Sequence, residues 1–486
     1  MIRTLSDDLV RQVIEEAVGI LADIGFFLEN AEARDLLRDS GARIDDSLSR
    51  VYLKPETVHR AVESAPAIVS LYDREGQMAA ELGGTSVCFD PGSAALNVLD
   101  PATGAVRPAR TPDYVSFTQV VDRLPHIHAQ STAMICSDVP RTVADRYRLY
   151  LALLYSRKPV VTGTFLKPSF APMREMLVTV RGSAEELRRK PLAVFDACPS
   201  PPLKWSDLTC QSVIDAERAG IPSELVSMPL TGANAPVTLL GAVVQHAAET
   251  LAGVVISQAA AEGAPVIWGG SPAAFDMSKA TTPMGSIDTM LIDLAYAEVG
   301  QKLGLPTHTY LGMSDAKVLD MQTGMESGMG TLLAGLKGIN MISGAGMLNF
   351  ESTQSIQKLV IDNEICGMTY KLLAGISRRD DPMARDLIPD LLAEKHLLTH
   401  EHTLRWFKEE HYFPSAVIDR ANFEEWAAGG RKNAGDRAWE IARDLIASHP
   451  GIDLDPRIAR SLTDRMRRDA LEHGLNELPA TPRGPR

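Results

Sequence analysis

The sequence predicts a (β/α)₈ barrel with an N-terminal helical cap and a C-terminal helical extension. Three observations carry this. From about residue 84, short β-rich runs alternate with helical stretches, and strands that alternate with helices build a parallel sheet. The runs number eight, the strand count of a closed barrel. The segments on either side have helical periodicity without that alternation. The implied division is 1–83 for the cap, 84–380 for the catalytic barrel and 381–486 for the extension and tail.

The elements follow in order. Ser6 stands before Leu9, Val13, Val18 and Leu21, apolar residues at near-helical spacing, and reads as an N-cap. Asn30 takes the same place for a second helix that stops at Gly41, and Pro55 sits in the first turn of a third. Strands are read at 86–90, 129–135, 159–165, 191–197, 224–229, 264–268, 307–311 and 340–345. Helices are read at 142–156, 170–189, 207–219, 238–262, 285–303 and 322–337. The first unit is irregular, and "GSAALNVLD" after Asp90 reads as an inserted hairpin. A doubly wound open sheet is the alternative arrangement of the same elements. Beyond 352 the chain is helical and charged, and "ELPATPRGPR" reads as a loose tail.

Composition narrows the function. The chain has 486 residues, a formal net charge of −13, 45% hydrophobic and 23% charged residues. With no run of Lys or Arg, nucleic acid is not an expected partner. Five scattered cysteines without a C-x-x-C argue against a disulfide framework or a zinc site and for a reducing, cytoplasmic setting. The charged N-terminus lacks the apolar core of a signal peptide. The apolar stretch 237–261 contains Gln245, His246 and Glu249, so it reads as a buried helix and no membrane span is expected.

Familiar catalytic motifs are missing. There is no P-loop, no H-E-x-x-H and no G-x-G-x-x-G after a strand. Gly344-Ala345-Gly346 lacks a third glycine, which disfavours a dinucleotide or S-adenosylmethionine site and favours a tight turn. His126 with His128, and His396 with His400, have metal-like spacing but no third ligand nearby, so no bound metal is expected. What remains is the barrel rule that active sites lie at the C-terminal ends of the strands. Asp90, Phe165, Asp196, Thr231 to Asn234, Trp268, Asp315 and Glu351 occupy those ends. Met313, Met321, Met325 and Met329 cluster after one strand, either as core filler or as an adaptable contact surface.

"TGAVRPART" (103–111), "GGSPAAFDM" (269–277), "GMSDAKVLDMQTGMESG" (312–328), "LVIDNEICGMTYKLLAGI" (359–376) and "HLLTHEHTLRWFKEEHYFP" (396–414) occur in this order. Together they resemble the trimethylamine methyltransferase superfamily over nearly the whole chain. The resemblance implies a (β/α)₈ barrel. It also implies transfer of a methyl group from a methylated amine to the cobalt of a corrinoid (cobalamin) held by a separate partner protein. Founding members carry pyrrolysine in the barrel mouth, whereas this sequence holds only the standard twenty residues. It is similar in this to members that demethylate quaternary amines such as glycine betaine.

On that reading Trp268 is the aromatic face for the cation, with Phe275 and Tyr310 beside it. Asp90 and Asp315 supply catalytic charge. Asn234, His308 and Glu351 bind the substrate, the first two at its carboxylate. A non-catalytic barrel that sequesters a betaine or docks the corrinoid protein is the alternative from another class. Trimethylamine and S-adenosylmethionine are the less favoured substrates, and a homo-oligomer is compatible with the sequence.

Overall fold

The computed structural model describes residues 2–481. The chain starts with helix α1 (Asp7–Gly19), where the Leu9 N–H donates to Ser6 Oγ at 3.2 Å. Strand β1 (Phe26–Leu28) leads to α2 (Ala31–Asp39), whose cap is Asn30, accepting from the Ala33 N–H at 2.8 Å. Strands β2 (Arg43–Asp45) and β3 (Arg50–Tyr52) precede α3 (Pro55–Ser64). A hairpin of β4 (Val69–Tyr72) and β5 (Met78–Leu82) ends the segment. The N-terminal region is therefore not purely helical. Strands of three residues are too short to show a period of two in the sequence.

The first barrel strand is β6 (Cys88–Pro91). The inserted hairpin β7 (Asn97–Leu99) and β8 (Val106–Pro108) and helix α4 (Thr111–Arg123) follow it. Then come β9 (Gln130–Ser131), α5 (Ala144–Tyr155), β10 (Val160–Thr162), α6 (Phe170–Arg181) and α7 (Ala184–Arg189). The helix read as continuous over 170–189 breaks at Gly182, whose φ of 94° lies in the left-handed region open to glycine. The chain continues with β11 (Ala193–Ala197), the short β12 (Lys204–Trp205), α8 (Asp207–Ala219), β13 (Ser223–Ser227) and α9 (Leu239–Ala260). The last units are β14 (Val266–Gly270), α10 (Ile287–Lys302), β15 (His308–Thr309), α11 (Met321–Lys337), β16 (Met341–Ala345) and α12 (Ile356–Ala374).

Hydrogen bonds close these strands into a ring. One parallel sheet runs β14-β13-β11-β10-β9 and another runs β15-β16-β6. The Trp268 N–H donates to the Pro306 carbonyl at 2.8 Å and joins β14 to β15. The His128 N–H donates to the Phe89 carbonyl at 2.7 Å and joins β6 to the start of β9. All eight strands read from the sequence are present, in the order of a (β/α)₈ barrel.

The bottom of the barrel is an apolar plug. Val69, Leu71, Ala80 and Leu82 of the β4–β5 hairpin pack against Cys88, Val161, Val194, Ile267 and Met341 at the strand starts. Outside, α9 is long and apolar enough to cross a membrane by length and composition. It is instead a core helix, packed against α1, α3, α8 and α10. Beyond α12 come α13 (Ile388–Glu394), α14 (Glu401–Glu410) and α15 (Phe423–Ala428), none of which has a fully buried residue. Helix α16 (Ala434–Ser448) packs on α12 and α4, and α17 (Pro456–Glu472) packs on α5 and α6.

Candidate active site

The strand ends surround a cavity of about 340 Å³. Each of the eight strands, or the loop that follows it, contributes to the wall, from Ser93 after β6 round to Glu351 after β16. That size suits a small molecule.

One wall carries a buried arginine. Arg148 comes from α5 and is 2% exposed. Its Nη1 donates to the Thr132 carbonyl at 2.6 Å, and its guanidinium lies 4.5 Å from the centre of the Phe165 ring. Its Nε has no partner. No carboxylate lies within ion-pair distance of it among the described residues, although Asp196 shares the cavity wall. A buried guanidinium with an idle donor needs an anion to complete it.

Beneath the cavity lies a polar layer where a barrel usually packs branched apolar side chains. Asp90, Asp196 and Glu224 point inward from β6, β11 and β13, with His308 and Ser343 from β15 and β16. Ser343 Oγ donates to Asp90 Oδ1 at 2.5 Å, and His308 Nε2 lies 2.9 Å from the same hydroxyl. His308 Nδ1 lies 3.1 Å from Glu224 Oε1, although ring and carboxyl are not aligned for a hydrogen bond. Burial dominates the titration of this layer. It pushes Asp90 and Glu224 well above the carboxylate range and Asp196 up to about 7, and it pushes His308 down to about 3. The proximity of Asp196 raises Asp90 and Glu224 further. Asp90, Glu224 and His308 are thus held neutral, while Asp196, which Arg148 draws back down, titrates near neutral pH.

Glu351 hangs over the opposite wall. It ends a turn in which Asn349, Phe350 and Glu351 have φ of 54°, 54° and 63°, a left-handed run that costs non-glycine residues energy. Ser271 Oγ donates to Glu351 Oε1 at 3.4 Å. Burial pushes this carboxyl up to about 7, although part of its surface is open to the cavity.

Phe165 and Asp196, named only by their strand-end positions, line the cavity; of the eight residues given roles from the sequence, Tyr310 and Glu351 line it too, and Asp90 and His308 stand in the layer below it. The other four lie elsewhere. Trp268 faces outward, away from the cavity: its Nε1 donates to the Tyr296 carbonyl at 3.0 Å, and its ring packs on Gly300 of α10 and edge-on to His246 of α9. Strand alternation decides this, because Ile267 and Gly269 take the inward positions on either side. Asn234 is a loop clasp whose Oδ1 accepts the Leu230 N–H at 2.6 Å. Phe275 sits on the same rim, its N–H 3.3 Å from Thr231 Oγ1. Asp315 uses both oxygens on backbone, accepting from Met284 and Gly285 at 2.9 and 2.8 Å, so it fixes a loop. His308, expected at a substrate carboxylate, is committed to Ser343.

Sequence reading missed Arg148 and Glu224 as candidates. Both carry one signal, a charge inside an otherwise buried run: "ADRYRLYLALLY" for the first and "SELVS" for the second. The clustered methionines divide. Met313 is buried, whereas Met321, Met325 and Met329 are 85%, 66% and 45% exposed along one face of α11.

Comparison with known proteins places this architecture. The family model described as trimethylamine methyltransferase matches residues 1–474. A trimethylamine methyltransferase of Desulfitobacterium hafniense is 29% identical over 470 residues, covering 97% of this chain and 94% of its own. One from Methanosarcina barkeri is 30% identical over 469 residues, covering 94% and 92%. A glycine betaine methyltransferase of Desulfitobacterium hafniense is 28% identical over 460 residues, covering 94% and 95%. A match this long, to a family model and to relatives alike, has one meaning: the chain belongs to the trimethylamine methyltransferase family.

Proposed function

We propose that the protein moves a methyl group from a zwitterionic quaternary amine, glycine betaine or a close relative, to the Co(I) of a corrinoid carried by a partner protein. The observation that supports this reading is Arg148, a buried guanidinium in the cavity wall without an ion-pair partner among the described residues. Trimethylamine has no anionic group to meet it, whereas a betaine carboxylate does. The cation end then falls to the Tyr310 ring and the wall that carries Glu351.

The corrinoid is a co-substrate, and its reduced cobalt supplies the nucleophile. The protein's own contribution is to bind, orient and exclude water. Arg148 anchors the carboxylate and so fixes which methyl group points to the open mouth. The polar layer stabilises a cation through neutral dipoles. Ionised carboxylates would bind the substrate cation more tightly than a transition state in which that charge is being lost. The exposed methionine face of α11, beside the mouth, is read as part of the surface that the carrier protein meets.

The test is an anaerobic assay with reduced cobalamin and separate glycine betaine, choline and trimethylamine. Methylcobalamin and dimethylglycine are expected from glycine betaine. Equal turnover of choline, which lacks the carboxylate, or robust turnover of trimethylamine would overturn the reading.

A further inference from the structure

Removal of a methyl group from a quaternary nitrogen leaves a problem that the binding site has to solve. The C–N bond breaks heterolytically. The electron pair of Co(I) forms the Co–C bond, cobalt becomes formally Co(III), and the old bonding pair stays on nitrogen as a lone pair. That lone pair points along the path the methyl group left by, towards the open mouth. A tertiary amine in this position is basic and can take the methyl group back. A proton placed on it at once prevents the reverse step.

The donor must therefore stand on the mouth side of the nitrogen. The floor acids do not. Asp196 lies within β11, and Asp90 and Glu224 lie within β6 and β13. Glu351 does. It lies past the end of β16, on a left-handed turn, and lines the cavity with Ser271 and Tyr310. Ser271 Oγ contacts only one of its oxygens. Three consecutive left-handed residues are a costly way to present a side chain, and strain of this kind accompanies functional placement.

We propose that the Glu351 carboxyl group protonates the tertiary amine as the methyl group departs. The proton passes from the Glu351 hydroxyl to nitrogen, leaving a carboxylate paired with the protonated amine, and water returns the proton when the product leaves. This deepens the betaine reading and rests on it. The surroundings keep the group protonated until use. Burial is the largest influence, and Asp315 raises it further, whereas Ser271 acts in the opposite direction. Asp293 of α10, Tyr310 after β15 and Cys198 after β11 also face it, and all three favour their own neutral forms. Of the cations, Lys317 is engaged with the Phe350 ring and with the Asp315 carbonyl, and Arg148 lines the same cavity.

The experiment compares wild type with Glu351→Gln and Glu351→Asp. It measures methylcobalamin formation from glycine betaine and reduced cobalamin between pH 5.5 and 9, and betaine affinity by calorimetry without corrinoid. Wild-type turnover should fall as pH rises through about 7, because the protonated carboxyl is the active form. Glu351→Gln should lose on the order of a hundredfold in rate, the usual range for a general acid. It should also lose that pH limb and bind betaine within about twofold of wild type, and Glu351→Asp should restore part of both rate and limb. An unchanged pH profile in Glu351→Gln overturns the proposal, as does a loss of affinity equal to the loss of rate. A wild-type protein that methylates cobalamin from no quaternary amine overturns the betaine reading itself, a separate result.

Discussion

The two ends of the barrel share one inward face and differ by a single pleat. Two residues up each strand, Cys88 gives way to Asp90, Val194 to Asp196 and Met341 to Ser343. At about 3.3 Å per residue, the environment changes from apolar plug to acidic layer within roughly 7 Å. The bottom layer is closed by the β4–β5 hairpin and contributes stability by excluding water. The upper layer keeps carboxyls out of water without ion pairs, an arrangement that costs stability and persists where it serves a site. Fold and chemistry are thus separated along the strands, and substitutions can probe each alone.

The largest effect is expected from moving the chemistry to the wrong layer. Val194→Asp places a carboxyl among the apolar residues of the plug and should cost on the order of 5 kcal/mol of stability. The converse change, Asp196→Val, should leave stability equal or higher while turnover falls. Denaturant melts of both variants check the pair, and a destabilised Asp196→Val would break the comparison. Trp268→Ala should cost about 3–5 kcal/mol of stability, as a large core truncation does, with betaine affinity unchanged in titration calorimetry. A drop in affinity without a drop in stability would return Trp268 to the site.

The next effect concerns an acid buried far from the mouth. Glu217 of α8 accepts from Ser257 Oγ at 2.9 Å, its other oxygen has no partner, and burial pushes it up to about 8. Its folded value lies above its unfolded one, so its contribution to stability is fully present below about pH 4.5 and is lost as pH rises through about 8. Glu217→Gln should flatten this window, worth about 1.4 kcal/mol per pH unit at most. Melting curves at pH 5, 6, 7 and 8 measure it. An equal pH slope in wild type and variant would show that other buried acids carry the dependence. The smallest effect is Arg148→Met. It should weaken betaine binding by about 2–3 kcal/mol, on the order of a hundredfold, and leave choline affinity unaltered. Equal losses for both ligands would remove the carboxylate anchor.

Trp268 and Tyr310 show where sequence reading stops. Both are aromatics at the end of a barrel strand, and both suit a cation. Only Tyr310 lines the cavity, because the inward or outward sense of each position depends on a pleat whose register the sequence around 264–268 does not reveal. Arg148 was missed for another reason. It belongs to a helix, one turn into α5 and far in sequence from any strand end, and reaches the cavity because α5 packs against β10.

The alternation of eight apolar runs with amphipathic or buried helices determined the barrel from sequence, since that periodicity admits few other ways to bury both faces of a parallel sheet. Capping residues such as Ser6 and Asn30 likewise acted locally and were readable as such. The site was decided by tertiary structure. It brings Asp90, Asp196, Glu224, His308, Ser343 and Glu351 together from across more than half the chain, and long-range convergence leaves no local pattern. Burial by those distant neighbours also sets whether each carboxyl is charged, and that is a property of the assembled barrel and of no residue alone.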